Sequence, residues 1–332
     1  MDVRLPATMR VFERGWLSAN NILFTGQDTA LVDSGYLTHA PQTLALVRHA
    51  LEGRKLDRLL NTHLHSDHCG GNAALQAAYQ CHTSIPALDA ENVACWDEEA
   101  LSYRATGQQC ARFTYDAVLA PGDQLELGNL RWQVLAAPGH DPHALLLFCA
   151  REGILISGDA LWENGFGVVF PELAGEPGFA EVGATLELIA TLDAGLVIPG
   201  HGPMFGDIKG ALARARSRLD YLSADPRRNA ENAVKVLLKF LLLERGRLAL
   251  GELPGLFASI PVVGSALRFI DIAACANAQR SPERVGGRAG HPAVQMPPGC
   301  ADPHAALAGW AVAALLRAGA ARIEAGFLVD LN

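Results

Sequence analysis

Basic residues are scarce in this chain: 27 lysines and arginines face 35 aspartates and glutamates across 332 residues, for a formal net charge of −8. Such a chain offers little of the positive surface that nucleic acid demands, so the expected partner is a small molecule and nucleic acid is disfavoured. Long apolar runs are missing as well. LLKFLLLE and HAALAGWAVAALL fall short of the roughly 20 residues a bilayer span requires, and no transmembrane segment is expected. The first residues, MDVRLPATMRVFERGW, hold no uninterrupted apolar core and carry acidic groups where a transit peptide avoids them; a mature, cytoplasmic protein is expected. There is no CxxC. The seven cysteines are irregularly spaced, which points to reduced thiols and excludes a disulfide framework or a cysteine-built zinc site.

What is present fits a globular protein, with half the residues hydrophobic and 19% charged. The length suggests two units. Short apolar strands alternate with helical patterns as far as Leu222, an α/β signature. NILFT and TALVDSG read as strands, PQTLALVRHALEG as an amphipathic helix opened by Pro41, and LDRLLNTH as a strand running into a histidine cluster. GGNAALQAAY reads as a helix. QLELGNLRWQVLAAPGH and ALLLFCAREGILISGD read as hairpins ending at His140 and Asp159, and LVIPGHG as a strand ending at His201.

After Leu222 the pattern becomes mainly helical. ENAVKVLLKFLLLERGRLALGELPGLFASIP reads as two helices joined by a short turn, and SPERVGGRAGHPAVQMPPGCADP as a Pro/Gly-rich linker. A helix and a strand pair follow, so a small winged-helix-like module is expected over residues 223–332, behind a catalytic domain at 1–222. The two parts carry formal charges of −11 and +3.

The stretch THLHSDHCGG, residues 62–71, holds the densest chemistry. On a strand, His63 and His65 would point to the same side and bind one ion together. Asp67 and His68, in a following turn, could serve a second. His140, Asp159 and His201 are natural completions, each at a strand end in a tight PGH, SGD or PGHG turn. A carboxylate such as Asp159 can bridge two cations. Histidine with carboxylate and no thiolate suits zinc, and also iron or manganese. Cys69 is read as a small packing residue, and His143 as either a support for the metal loop or a buried side chain. His39, His49, His82, His291 and His304 are read as ordinary core or solvated groups.

In these motifs the sequence resembles the metallo-β-lactamase superfamily, in order over residues 12–222: LVDSG with Asp33, THLHSDH, PGH with His140, SGD with Asp159, and PGHG with His201. The resemblance implies an αββα sandwich with two divalent ions. His63, His65 and His140 would hold the first and Asp67, His68 and His201 the second, with Asp159 bridging and Asp33 supporting from behind. It also implies a hydrolase using metal-bound hydroxide, oriented by Asp67.

True β-lactamases of the superfamily typically lack the bridging aspartate, so the set is closer to that of the hydroxyacylglutathione hydrolases. The segment after Asp159, ALWENGFGVVFPELAGEP, lacks the basic and tyrosine groups that would grip glutathione. Trp162, Phe166 and Phe170 either line an apolar pocket mouth or belong to the core. A thioester or ester of a small molecule is the expected substrate. The alternative is a phosphodiesterase or endoribonuclease of the lactamase-like type, which also appends a winged helix, and a third reading is a DNA-binding metal sensor. The C-terminal module is otherwise read as a cap over the active-site edge or a homodimer contact.

Overall fold

The computed structural model describes residues 5–15, 18–272 and 302–331. The chain divides into two compact units, Met1–Arg104 with Gln108–Ala224, and Ala105–Gly107 with Asp225–Asn332.

The first unit holds two sheets. One runs in the order β1 (Met9–Phe12), β2 (Asn21–Thr25), β3 (Thr29–Val32), β4 (Arg58–Leu60), β5 (His82–Pro86) and β6 (Ala117–Leu119), antiparallel as far as β3 and parallel from there. The other comprises β7 (Gln124–Leu127), β8 (Leu130–Ala136), β9 (Leu145–Cys149), β10 (Ile154–Gly158) and β11 (Leu196–Pro199), in spatial order β11-β10-β9-β8-β7. Alternation along the strands sets the layers. Ile22, Phe24 and Val32 face Trp132, Val134, Leu147 and Ile156 in the core between the sheets. Trp132 and Phe24 meet there edge to face, with ring centroids 5.5 Å apart.

The intervening residues point outward onto helices. Leu23, Leu31 and Leu59 pack with α1 (Ala40–Leu51). Pro41 opens that helix, and Glu52, in the left-handed conformation, ends it. Leu146, Leu155 and Val197 of the second sheet pack on Val182, Leu186 and Ala211. Helix, sheet, sheet, helix is the expected αββα sandwich. Its further α-helices among the described residues are α2 (Ser66–Cys69), α3 (Asn72–Tyr79), α4 (Ala90–Cys95), α5 (Tyr103–Thr106, of which Ala105 and Thr106 are counted in the second unit), α6 (Pro171–Ala174), α7 (Gly178–Thr191) and α8 (Ile208–Ser223).

The second unit contains α9 (Pro226–Arg245), β12 (Arg247–Ala249), α10 (Leu253–Ser259), α11 (Pro261–Leu267), α12 (Pro303–Arg317), β13 (Ala321–Glu324) and β14 (Phe327–Asp330). Helix α9 packs on α11 and α12, and the strands form an antiparallel sheet in the order β12-β14-β13. The expected turn after α9 is therefore a strand, completing a sheet with the predicted pair. The Pro/Gly-rich linker lies almost wholly outside the described residues. No described helix is long and apolar enough to cross a membrane.

Candidate metal centre

Strand β4 is shorter than the sequence suggests, because Asp33 pulls the chain off the ladder after Leu60. Asp33 ends β3 with a left-handed φ of 60°, a conformation that aspartate and asparagine tolerate better than most residues. Its Oδ1 accepts the Thr62 backbone N–H at 2.9 Å, and its Oδ2 accepts the Thr62 hydroxyl at 2.8 Å. The same Oδ2 lies 2.8 Å from His68 Nδ1. One buried carboxylate thus ties the histidine loop to α2. His63 and His65 converge from this loop, not from a strand as expected, and Asp67 and His68 sit on α2 in place of the expected turn.

The seven expected donors form three overlapping groups: His63, His65 and His140; His63, His68 and Asp159; and Asp67, His68 and His201, with the donor atoms of each group within 4.8 Å of one another. Asp159 spans them. Its Oδ1 lies 3.3 Å from His68 Nε2, while its Oδ2 lies 3.4 Å from His140 Nε2 and 3.8 Å from His201 Nε2. Asp67 Oδ2 is 2.9 Å from His201 Nε2. Six of the seven residues are buried, and only His65 is partly exposed. Cys69 belongs to none of the groups. Its thiol donates to the Leu64 carbonyl at 3.3 Å.

The second nitrogen of most rings is held from behind, which fixes its orientation. His63 Nδ1 lies 3.1 Å from Thr62 Oγ1, His68 Nδ1 is on Asp33, and His140 Nδ1 lies 2.6 Å from the Val168 carbonyl. His65 turns Nδ1 to His140 and Nε2 to Asp141 Oδ2, 3.6 Å away. His63 Nε2 is left buried with no hydrogen-bond partner. An orphaned buried lone pair is costly unless something occupies it, so this donor set fits a divalent cation.

The electrostatics agree. Burial holds His63 well below the usual imidazole range and takes His140 down to about 4, and in both cases neighbouring histidines add to the effect. Burial also lowers His65. These three rings are therefore neutral, as a metal ligand must be. Around Asp159 burial favours the protonated acid, but His201 and His68 outweigh it and pull the carboxyl well below its ordinary value. His68 differs: burial lowers it, but Asp159, Asp33 and Asp67 overcome that and raise it well above the histidine range, so an ion there would displace a proton.

Trp162 lies against the centre: its indole N–H donates to Asp159 Oδ1 at 3.1 Å and its ring meets that of His201 edge to face. Phe166 belongs to the core, beneath the Arg218 guanidinium. Phe170 is partly buried just before α6. His143 is half-buried and pairs with Asp89 at 2.8 Å. Sequence reasoning missed Asp141 and Asp89, which no motif marks, and the supporting role of Thr62 at the head of THLHSDH. Only the position of Asp141 beside His140 could have suggested it.

A family model described as the metallo-beta-lactamase superfamily matches residues 14–201. The hydroxyacylglutathione hydrolase of Anaeromyxobacter dehalogenans (strain 2CP-C) is 32% identical over 225 residues, covering 64% of this chain and 76% of that protein. Other hydroxyacylglutathione hydrolases are matched over about half their length. The acyl-coenzyme A thioesterase MBLAC2 of Bos taurus is 30% identical over 158 residues, 44% of this chain and 56% of that protein. A metallo-beta-lactamase family protein from Thermus thermophilus shares the fold, with a TM-score of 0.54 at 17% identity over 99% of this chain and 100% of that one. With the matched region covering every donor from Asp33 to His201, the chain belongs to the metallo-β-lactamase superfamily.

Proposed function

We propose that this protein hydrolyses a small acyl thioester, or a related ester, at a site for two divalent ions. The observation that carries the reading is that the three donor groups are linked through His63 and His68, with Asp159 between them, its two oxygens facing His68 on one side and His140 on the other. His63, His65 and His140 would hold one ion and Asp67, His68 and His201 the other, with zinc the proposed metal. When bound, two such ions supply Lewis acidity and a water acidic enough to ionise near neutral pH.

The protein's own groups prepare that chemistry. Asp33, Thr62 and the Val168 carbonyl keep the outer nitrogens of His68, His63 and His140 occupied, so the inner sides of these rings stay directed at the centre. Asp67, held below its ordinary pKa by His68 and His201 against the effect of burial, is an anionic acceptor beside His201 Nε2. It orients the attacking water and takes up its proton at a carboxylate oxygen. A thiolate leaving group departs without protonation, which favours a thioester.

The relatives named as thioester hydrolases support this substrate class. A phosphodiester is less well matched. Arg214, Arg216 and Arg218 of α8 are the nearest thing to a basic row, but Arg214 donates to the Glu163 carbonyl, Arg216 pairs with Glu187 at 2.9 Å and Arg218 lies over Phe166. We assign catalysis to residues 1–222, where all seven donors lie, and place the enzyme in the cytoplasm. The metal-loaded protein should be assayed against acyl thioesters of glutathione and coenzyme A, lactones, β-lactams and bis-p-nitrophenyl phosphate, with elemental analysis alongside. Thioester turnover that disappears in Asp67→Ala is expected. Efficient phosphodiester cleavage with no thioester turnover would overturn the assignment.

A further inference from the structure

Beneath the histidine loop lies a small apolar cluster with no part in the proposed hydrolysis. Leu64, Ile85, Tyr103 and Phe113 enclose Cys69, the last residue of α2. Its side chain is fully buried. Besides the Leu64 carbonyl, Cys69 Sγ meets the Tyr103 hydroxyl at 3.1 Å and Cys110 Sγ at 3.8 Å. Cys110 is partly exposed and lies in a stretch, residues 108–115, that forms neither helix nor strand.

We propose that Cys69 and Cys110 form a modification site: a hydroperoxide joins them as a disulfide, and the new bond loosens the loop that presents His63 and His65. Cys110 is the reachable sulfur, so its thiolate attacks the peroxide first. One S–O bond forms and the O–O bond breaks; hydroxide or alkoxide leaves and takes up the proton that the Cys110 thiol lost, so that a sulfenic acid and water or an alcohol result. Cys69 then attacks that sulfur; the S–S bond forms as the S–O bond breaks, and the thiol hydrogen departs with the hydroxyl as water. Two thiols are oxidised and one peroxide is reduced.

The geometry favours the pair. A disulfide needs a sulfur separation of about 2.05 Å, so the sulfurs must close by roughly 1.8 Å from their present contact. Cys110 can supply that movement because no ladder or helix holds its backbone. Cys69 cannot readily do so, since its own N–H and those of His68 and Gly70 are bonded back to His65 and Ser66.

The consequence at the centre follows from one hydrogen. Reduced Cys69 donates to the carbonyl of Leu64, the residue between His63 and His65. In the disulfide that sulfur carries no hydrogen, so a buried carbonyl loses its donor, and the loop shifts to recover one. This second half rests on the metal-hydrolase reading; formation of the bond does not.

The test uses the full-length, metal-loaded protein treated with hydrogen peroxide, then denatured, alkylated and mapped by mass spectrometry without reduction. A peptide pair linking Cys69 to Cys110, reversed by dithiothreitol, is expected, together with about tenfold weaker metal binding in the oxidised form. Cys110→Ser and Cys110→Ala, each checked for native circular dichroism, should show no link and should keep their metal after the same treatment. Recovery of Cys69 as an alkylated thiol after Cys110 has oxidised would overturn the site. A link that leaves metal affinity unchanged would overturn its control of the loop. A link with loss of metal, in a protein that hydrolyses no thioester, would sink the substrate assignment and leave the modification site standing.

Discussion

Asp33→Asn is the sharpest perturbation of the proposed centre, because it removes one charge and almost no volume. Asp33 is 1% exposed, and its carboxylate takes three contacts: the Thr62 N–H, the Thr62 hydroxyl and His68 Nδ1. The acceptor at Nδ1 holds one ring proton there, so that an ion need displace only the proton at Nε2, which faces Asp159 Oδ1, 3.3 Å away. Asparagine cannot serve all three partners. With its carbonyl on the Thr62 N–H, its amide N–H meets His68 and pushes the ring proton to Nε2, where it blocks an ion. Flipped, the amide confronts the Thr62 N–H and strands two buried donors, at about 1–3 kcal/mol for each. Supporting groups of this kind typically contribute 10–100-fold to metal affinity, or about 1.4–2.7 kcal/mol. The expected result is a loss of that size for the ion on His68, Asp67 and His201, with a smaller loss for the one on His63, His65 and His140. Titration of metal-free protein against a chromophoric chelator resolves the two, and circular dichroism checks the fold. The left-handed φ suits asparagine as well as aspartate, so backbone strain does not confuse the result. A variant that folds and binds both ions as tightly as the native protein would refute the account of Asp33.

Trp162→Phe keeps a ring against His201 but loses the N–H that reaches Asp159 Oδ1. A hydrogen bond to a charged group contributes about 1.5–3 kcal/mol, so metal binding should weaken by about tenfold or more, and native affinity would show that the indole only fills space. A Cβ at Gly167 would collide with the His140 ring at Nδ1; Gly167→Ala should cost about 1–3 kcal/mol of stability in chemical denaturation, by overpacking. A stability equal to that of the native protein would mean the segment yields freely. The hydrogen bond from His143 to Asp89 raises the His143 pKa above its ordinary value. Its contribution to stability is therefore complete below an unfolded value of about 6.5 and is lost as pH rises through the higher folded value. Melting of metal-free protein should show this slope, reduced in size by the partial exposure of His143, and His143→Gln should remove it.

Much of the catalytic unit was legible because its strands are short, apolar and bounded by turn residues. Each apolar run that ended in PGH, SGD or PGHG became a strand delivering one donor. The errors share a cause. LDRLLNTH reads as an unbroken strand, yet β4 ends at Leu60: the Asn61 N–H still reaches the Ser84 carbonyl, but the Thr62 N–H is taken by the side chain of Asp33, 29 residues before it. No local pattern announces a competitor so far away. The same holds for Asp89, which reaches His143 across 54 residues. GRLALGE was too short, between strongly helical neighbours, to stand out as a strand; β12 exists because β14, far along the chain, pairs with it.

The distribution of exposure also moves the search for specificity. The sequence draws attention to Trp162, Phe166 and Phe170, but Phe166 is sealed in the core and Trp162 is occupied with Asp159. Among the seven donors only His65 retains access, its side chain 13% exposed, and Asp141 beside it is 14% exposed. Burial, with Asp89 adding, raises the Asp141 carboxyl to about 6. Asp89 ends a short turn whose neighbour Leu88 is 68% exposed. A substrate that reaches the centre from the open face of His65 therefore passes the turns at 87–89 and 141–143. An apolar side chain standing in solvent beside two acids and a histidine suits an acyl group more than a polyanion, which would meet carboxylates first. The rim thus favours the same substrate class as the leaving-group argument, and it does so from residues that none of the motifs contains.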